Sequence, residues 1–265
     1  MYAVDSNKGL AVLVGGVGTG KTTLARRMLD TLTEDRYESS LLVMVHSGIT
    51  PEWILTRIAL QLGVEDPATD RLALLRQLYD RLLQIEAAGR RAVVLIDEAQ
   101  MLQTRELMEE FRGLLNLEIP GKKLLNIVFF GLPEVEECLR LDEPLAQRVA
   151  VKFRLHSLTP ETTESYIKHR LQVAGAKRML FAMDAITAIH RYAGGVPRLI
   201  NTVCDNCLLE AFLRKMTLVD TKIVHSVAGD LGLLPQALVE KAAPVTRAGE
   251  FDEIESMLDK LEQRF

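Results

Sequence analysis

The stretch Gly15-Gly16-Val17-Gly18-Thr19-Gly20-Lys21-Thr22 limits what this chain can fold into more than any other. An apolar, strand-length run (10–14) stands before it, and a helical pattern (21–32) follows it directly. A strand that ends in a glycine-rich turn and passes straight into a helix gathers several backbone N–H groups around one point. The positive end of the helix dipole lies beside them, so the turn is built to hold an anion. The fixed positions match G-x-x-x-x-G-K-[ST], the pattern of a loop that cradles a polyphosphate. Gly16, Val17, Gly18, Thr19, Gly20, Lys21, Thr22 and Thr23 are therefore the candidate phosphate contacts. Lys21 can place a point charge on the terminal phosphates, and the Thr22 hydroxyl is a candidate magnesium ligand.

Four more apolar, β-branched runs follow, at 41–45, 92–96, 126–130 and 150–155. Most of them are continuous rather than alternating, as strands buried on both faces are. Helical patterns at 52–62, 71–86, 105–115 and 134–139 separate them. This rhythm predicts an α/β domain over 1–157 with a parallel sheet between helices. Thr159-Pro160-Glu161 then reads as a helix start. Only helical periodicity follows to the end of a second, all-helical domain at 158–230. Residues 231–265 read as a linker carrying Pro235 and Pro244, then an amphipathic helix. Its apolar positions Phe251, Ile254, Leu258, Leu261 and Phe265 form a seam too short to stand alone, so it is expected to dock on a protein partner or on this chain.

The run 92–96 ends in Asp97-Glu98. Asp97, at a strand's carboxyl end, stands where open α/β sheets bind ligands and is the second candidate magnesium ligand. Glu98 is the candidate that polarises an attacking water. The alternative is a pair of solvated acids opening a helix. ATP and Mg2+ are the cofactors this pair and the loop imply together.

Composition narrows the rest. No apolar run nears the roughly 18–20 residues that cross a bilayer. Nothing at the start reads as a secretory signal. The cysteines Cys138, Cys204 and Cys207 are too few and too uneven for a disulfide framework. These features predict a reduced, cytoplasmic protein. A net charge of −4 gives no general footprint for nucleic acid, so DNA is a possible partner but not a favoured one.

GGVGTGKTT, VVLIDEAQ, NIVFFGLPEVEECLRLDEPLAQRV and YAGGVPRLIN, at this spacing, resemble an AAA+ ATPase of the ExeA-like (general secretion pathway protein A) group, which is related to transposition ATPases. The likeness runs from about residue 8 to about residue 230, and its later two segments are the more specific. It implies a P-loop NTPase sheet, the AAA+ core, with a C-terminal helical lid. It also implies ATP hydrolysis coupled to homo-oligomer assembly or partner remodelling, as in secretion-type accessory ATPases. The alternative is an ATP-dependent DNA-binding regulator of the transposition type, acting as an assembly switch. Arg148 matches the arginine finger offered to a neighbouring subunit, or else is a surface arginine beside a short helix. Arg198 matches the sensor 2 arginine of the lid. It stands near a helix start, where a cation is unfavourable unless an anion answers it.

The chain departs from the family at three places. Leu132 stands where a polar sensor 1 residue is usual, and its side chain cannot hydrogen-bond a phosphate or water. That predicts slow turnover, with Asn126 at the wrong end of its strand to substitute. Only residues 1–8 precede the first strand, which predicts an incomplete adenine pocket or a truncated chain. The membrane span and wall-binding region of full-length secretion proteins are not in this sequence. His46 is read as a strand-end histidine, Lys122-Lys123 as an exposed turn, and Trp53 and the Cys204/Cys207 pair as packing residues.

Overall fold

The computed structural model describes residues 1–46 and 48–235. In chain order the elements are α1 (Tyr2–Asp5), β1 (Leu10–Gly15), α2 (Lys21–Thr31), β2 (Tyr37–Val43), α3 (Pro51–Gln61), α4 (Arg71–Ala87) and β3 (Arg91–Asp97). A 3-10 turn, α5 (Arg105–Leu114), β4 (Glu118–Ile119), β5 (Lys122–Lys123), β6 (Leu125–Gly131), α6 (Val135–Arg140), α7 (Glu143–Ala146) and β7 (Val149–Leu155) follow. The last four helices are α8 (Pro160–Val173), α9 (Met183–Ala193), α10 (Pro197–Leu213) and α11 (Thr221–Asp230). The described residues divide into two compact units, Met1–Leu158 with Val196–Arg198, and Thr159–Gly195 with 199–235.

The first unit is a parallel sheet of order β2-β3-β6-β1-β7, the P-loop NTPase arrangement. Side chains alternate across a strand, and this sheet turns both sets inward. Val12, Val14, Val94, Ile96, Ile127 and Phe129 face a core shared with α3, α4 and α5. Ala11, Val93, Leu95, Val128 and Phe130 face a second core with α1 and α2. Two-sided burial is why β3 and β6 read as unbroken apolar runs. Phe111 meets Phe129 edge to face at 5.0 Å between centroids, joining α5 to the middle of the sheet.

Helix starts follow their capping residues. Thr50 accepts the Trp53 N–H ahead of Pro51, and Asp70 accepts the Ala73 N–H. Asp142 caps α7 through the Leu145 N–H and also takes Arg112 of α5 at 2.9 Å. Burial raises the Asp142 carboxyl, but the Arg112 and Leu145 bonds hold it below the usual aspartate value.

The second unit packs α9 against α8 and α11 and joins Phe181 to Val219 in one parallel bridge. Gly194 ends α9 in the left-handed conformation. Cys204 and Cys207 are buried on α10, where burial pushes both thiols up to about 12. They are packing groups, as read from the sequence.

Some elements differ from expectation. The second strand starts at Tyr37 rather than 41, because the Tyr37 ring is buried and its hydroxyl donates to Asp5 of the unanticipated α1 at 2.5 Å. Lys122 and Lys123 are not an open turn. They form a hairpin with β4, Lys122 pairs with Glu86, and the Lys123 stem lies over Gly9. Trp53 packs at the rim of the larger core under Arg57. The expected C-terminal helix and nearly all of the linker lie outside the described residues.

Candidate functional site

The loop after β1 is shaped by contacts that only small residues permit. At Gly15 a Cβ would lie 2.8 Å from the Thr19 hydroxyl and 3.1 Å from the Leu155 carbonyl. Gly18 and Gly20 take φ of 75° and 101°, backbone that side-chain-bearing residues avoid. The Thr19 hydroxyl and the Lys21 ammonium both donate to the Gly16 carbonyl, at 2.8 and 2.9 Å. Lys21 is buried, which lowers its pKa; Glu98 and Asp97 oppose that shift and Arg198 adds to it. Thr22 and Thr23 occupy the first turn of α2, half-buried and exposed, while Gly16 and Val17 are exposed.

The carboxylates leave the carboxyl end of β3. Asp97 is fully buried; its Oδ1 accepts the Glu98 N–H at 3.0 Å. Its Oδ2 has no hydrogen-bond partner among the described residues. A buried carboxylate oxygen left so is costly unless a cation answers it. This orphaned oxygen, within electrostatic reach of Lys21, fits the hard oxygen chemistry of magnesium, and the Thr22 hydroxyl is a further oxygen donor. Glu98 sits at φ 56°, ψ 38°, a left-handed conformation that costs about 1–2 kcal/mol for a residue with a Cβ. Strain of this kind gathers at functional sites.

Strand order brings the two motifs together. Val14 pairs with Gly131 and Ile96 with Phe129, so β1, β6 and β3 end at nearly one level. One strand separates loop from carboxylates, about 10 Å at the usual strand spacing. The end of β6 lies in that gap. A Cβ on Gly131 would come within 2.4 Å of Val135 and 2.7 Å of the Gln100 side-chain oxygen, so this strand end must be bare.

A family model described as "AAA domain" matches residues 4–139. The chain belongs to the AAA domain family. General secretion pathway protein A of Aeromonas hydrophila is 39% identical over 235 residues, 88% of this chain and 41% of that protein. The chain thus spans less than half of that relative, whose group is the one the motifs resemble. Among solved structures, the ORC2 protein of Aeropyrum pernix superposes with a TM-score of 0.62 at 16% identity, covering 86% of this chain and 64% of that one. The RuvB Holliday junction branch migration motor of Thermotoga maritima gives 0.58 at 18%, covering 87% and 66%. A Walker-type ATPase of Pyrococcus abyssi gives 0.61 at 16%, covering 98% and 74%. At these identities the likeness concerns the fold. No helix among the described residues is long and apolar enough to cross a membrane.

The remaining candidates are spread over the chain, Arg148 and Arg198 beyond the residues matched by the family model. Arg198 is the second residue of α10, and its N–H donates to the Gly18 carbonyl at 3.2 Å. A Cβ on Gly18 would meet the Arg198 and Val196 side chains at 2.9 and 3.0 Å, so the loop is glycine there for close approach as well. Arg148 precedes β7, whose first residue pairs with Leu10 at the amino end of β1. A strand's length, about 16–20 Å, separates it from its own loop. There its guanidinium donates to the Asn116 side chain at 2.5 Å and to the Arg112 carbonyl at 3.3 Å, near the end of α5. Asn126 is structural: it accepts the Gly9 N–H and donates to Asn7 at the amino end of β6. His46 is exposed beyond β2. One site neighbour escaped sequence reasoning. Gln100 is buried and donates to the Glu98 carboxylate at 2.5 Å; only its place in DEAQ hinted at it.

Proposed function

We propose that this chain is a cytoplasmic AAA+ ATPase that binds and hydrolyses Mg-ATP and couples the cycle to assembly with further copies or to remodelling of a protein partner. The buried, unpartnered Asp97 oxygen beside Lys21 carries the reading. In it, Asp97 and Thr22 hold magnesium, and the loop N–H groups of residues 16–23 with Lys21 hold the phosphates. The bound metal would supply charge neutralisation at the terminal phosphate. Glu98 orients a water and takes its proton. Arg198 contributes a second cation at the loop, close to Gly18. Arg148 serves a neighbouring molecule's site, a role supported by its distance from its own loop. Likeness to the secretion relative favours a secretion-type partner.

The test is ATP turnover of the parent and Glu98→Gln, with light scattering in the presence and absence of ATP and magnesium. Glu98→Gln should bind nucleotide and assemble as the parent does, yet turn over at least about a hundredfold more slowly. A parental rate in that variant would overturn the assignment. In mixtures, Arg148→Ala and Lys21→Ala chains, each inactive alone, should regain partial turnover.

A further inference from the structure

Leu132 leaves a gap in the chemistry: its side chain offers no polar group at the end of β6, between loop and carboxylates. We propose that Gln100 fills that gap as the positioning residue for Glu98, tying the carboxylate to the end of β6. The inference rests on the reading of Glu98 as the group that activates water.

The geometry has one consistent solution. The Leu132 N–H donates to the Gln100 side-chain oxygen at 3.0 Å. An N–H cannot accept, so the oxygen must face Leu132 and the amide nitrogen must face the other way. There it meets the Glu98 carboxylate, which can only accept when ionised, at 2.5 Å. Both ends of the amide are thus matched, and a flipped amide would oppose donor to donor and acceptor to acceptor.

The rest of Gln100 is held as firmly. It lies in the 3-10 turn closed by the Met101 N–H on the Glu98 carbonyl and the Leu102 N–H on the Ala99 carbonyl. Its own carbonyl receives the Cys138 thiol of α6 at 3.7 Å. Bare Gly131 passes beside its side chain, where a methyl group would displace it. The Glu98 backbone is held by Asp97 and Met101, and Gln100 fixes one oxygen of its carboxylate and leaves the other for a water. In place of a polar side chain at position 132, the Leu132 backbone N–H and the Gln100 side chain, from the 3-10 turn after β3, link the end of β6 to Glu98. Turnover therefore need not be slow on account of Leu132.

Two variants of the full chain test this. Gln100→Met keeps the volume and removes both bonds. Gln100→Glu keeps the acceptor for the Leu132 N–H but sets a carboxylate against Glu98. Each should lower kcat for ATP about ten- to a hundredfold, the effect of losing a group that orients a functional side chain, with nucleotide affinity within about twofold. Neither should slow the residual rate of Glu98→Gln further, because Gln100 acts through Glu98. A purely structural glutamine would instead lower the melting temperature equally in both backgrounds and spare that coupling.

An NMR readout is independent of turnover. In 15N-glutamine-labelled protein, the Gln100 side-chain amide, identified by its loss in Gln100→Met, should shift on Glu98→Ala. If the amide shifts while the assembled parent does not hydrolyse ATP, the hydrolysis reading fails and the coupling of Gln100 to Glu98 stands. Parental kcat in Gln100→Met or in Gln100→Glu, or an amide that ignores Glu98→Ala, overturns the proposal.

Discussion

Replacing Asp97 by asparagine should make the nucleotide-free protein more stable while removing its response to magnesium. The side chain is fully buried and only Oδ1 is hydrogen-bonded, to the Glu98 N–H. Asparagine keeps that bond and its shape, but leaves a neutral amide group where the unpartnered Oδ2 stands. An unsatisfied buried polar group costs about 1–3 kcal/mol, and more when charged. Only the part of the charge excess that Lys21 does not already offset is recovered, on the order of 1 kcal/mol. For a domain of this size that raises the melting temperature by about 2–4 °C. Calorimetry in EDTA reads this directly. With Mg-ADP at a hundred times its dissociation constant, the parent should gain about 2.7 kcal/mol. The variant should gain no more with magnesium than without it. An asparagine variant that melts 2 °C or more below the parent in EDTA would refute the idea of a carboxylate that Lys21 compensates only in part and that awaits a further cation.

Three further outcomes follow from particular contacts. Arg71→Ala leaves the Glu110 carboxylate, 4% exposed, without its 2.5 Å partner and should cost about 1–3 kcal/mol at neutral pH. Burial already holds the Glu110 carboxyl above 4.5 against the pull of Arg71, so losing Arg71 raises it further. The folded state then disfavours its charge more, a penalty felt above the unfolded value and absent below it. Urea titrations should therefore show the deficit at pH 7 shrinking by pH 4. Because burial holds Lys21 below 10.5 in the free protein, nucleotide affinity should begin to fall on the alkaline side before an ordinary lysine would titrate. Fluorescent-nucleotide titrations into alkaline pH check it, and affinity that stays flat until an ordinary lysine would titrate would count against a phosphate-binding Lys21 of lowered pKa. Gly131→Ala forces a methyl group against Val135 and Gln100 and should cost about 1–3 kcal/mol, measured by thermal melting.

What the sequence showed depended on how local each signal was. The loop and Asp97-Glu98 are contiguous strings whose chemistry survives without knowing the sheet order, and the buried strands declared themselves by unbroken apolar runs. The order of those strands did not. That Gly131 and Leu132 lie beside Gln100, 32 positions from Leu132, follows from β6 inserting between β1 and β3, which periodicity along one chain cannot encode. The same holds for Asn126: its partners Asn7 and Gly9 are more than a hundred positions away, so its role at the amino end of β6 was invisible while its position was not. Short elements such as α1 exist through tertiary bonds, here Tyr37 to Asp5, and carry no periodicity of their own.

The separation of Arg148 from its own phosphate loop has a consequence for how such a chain would behave in a cell. On the reading proposed here, a solitary molecule holds the halves of two different sites and completes neither. Its output per molecule would then depend on crowding, rising steeply where copies gather and falling silent where they are dilute. Any scaffold that concentrates a few chains would act as the switch without touching the nucleotide at all.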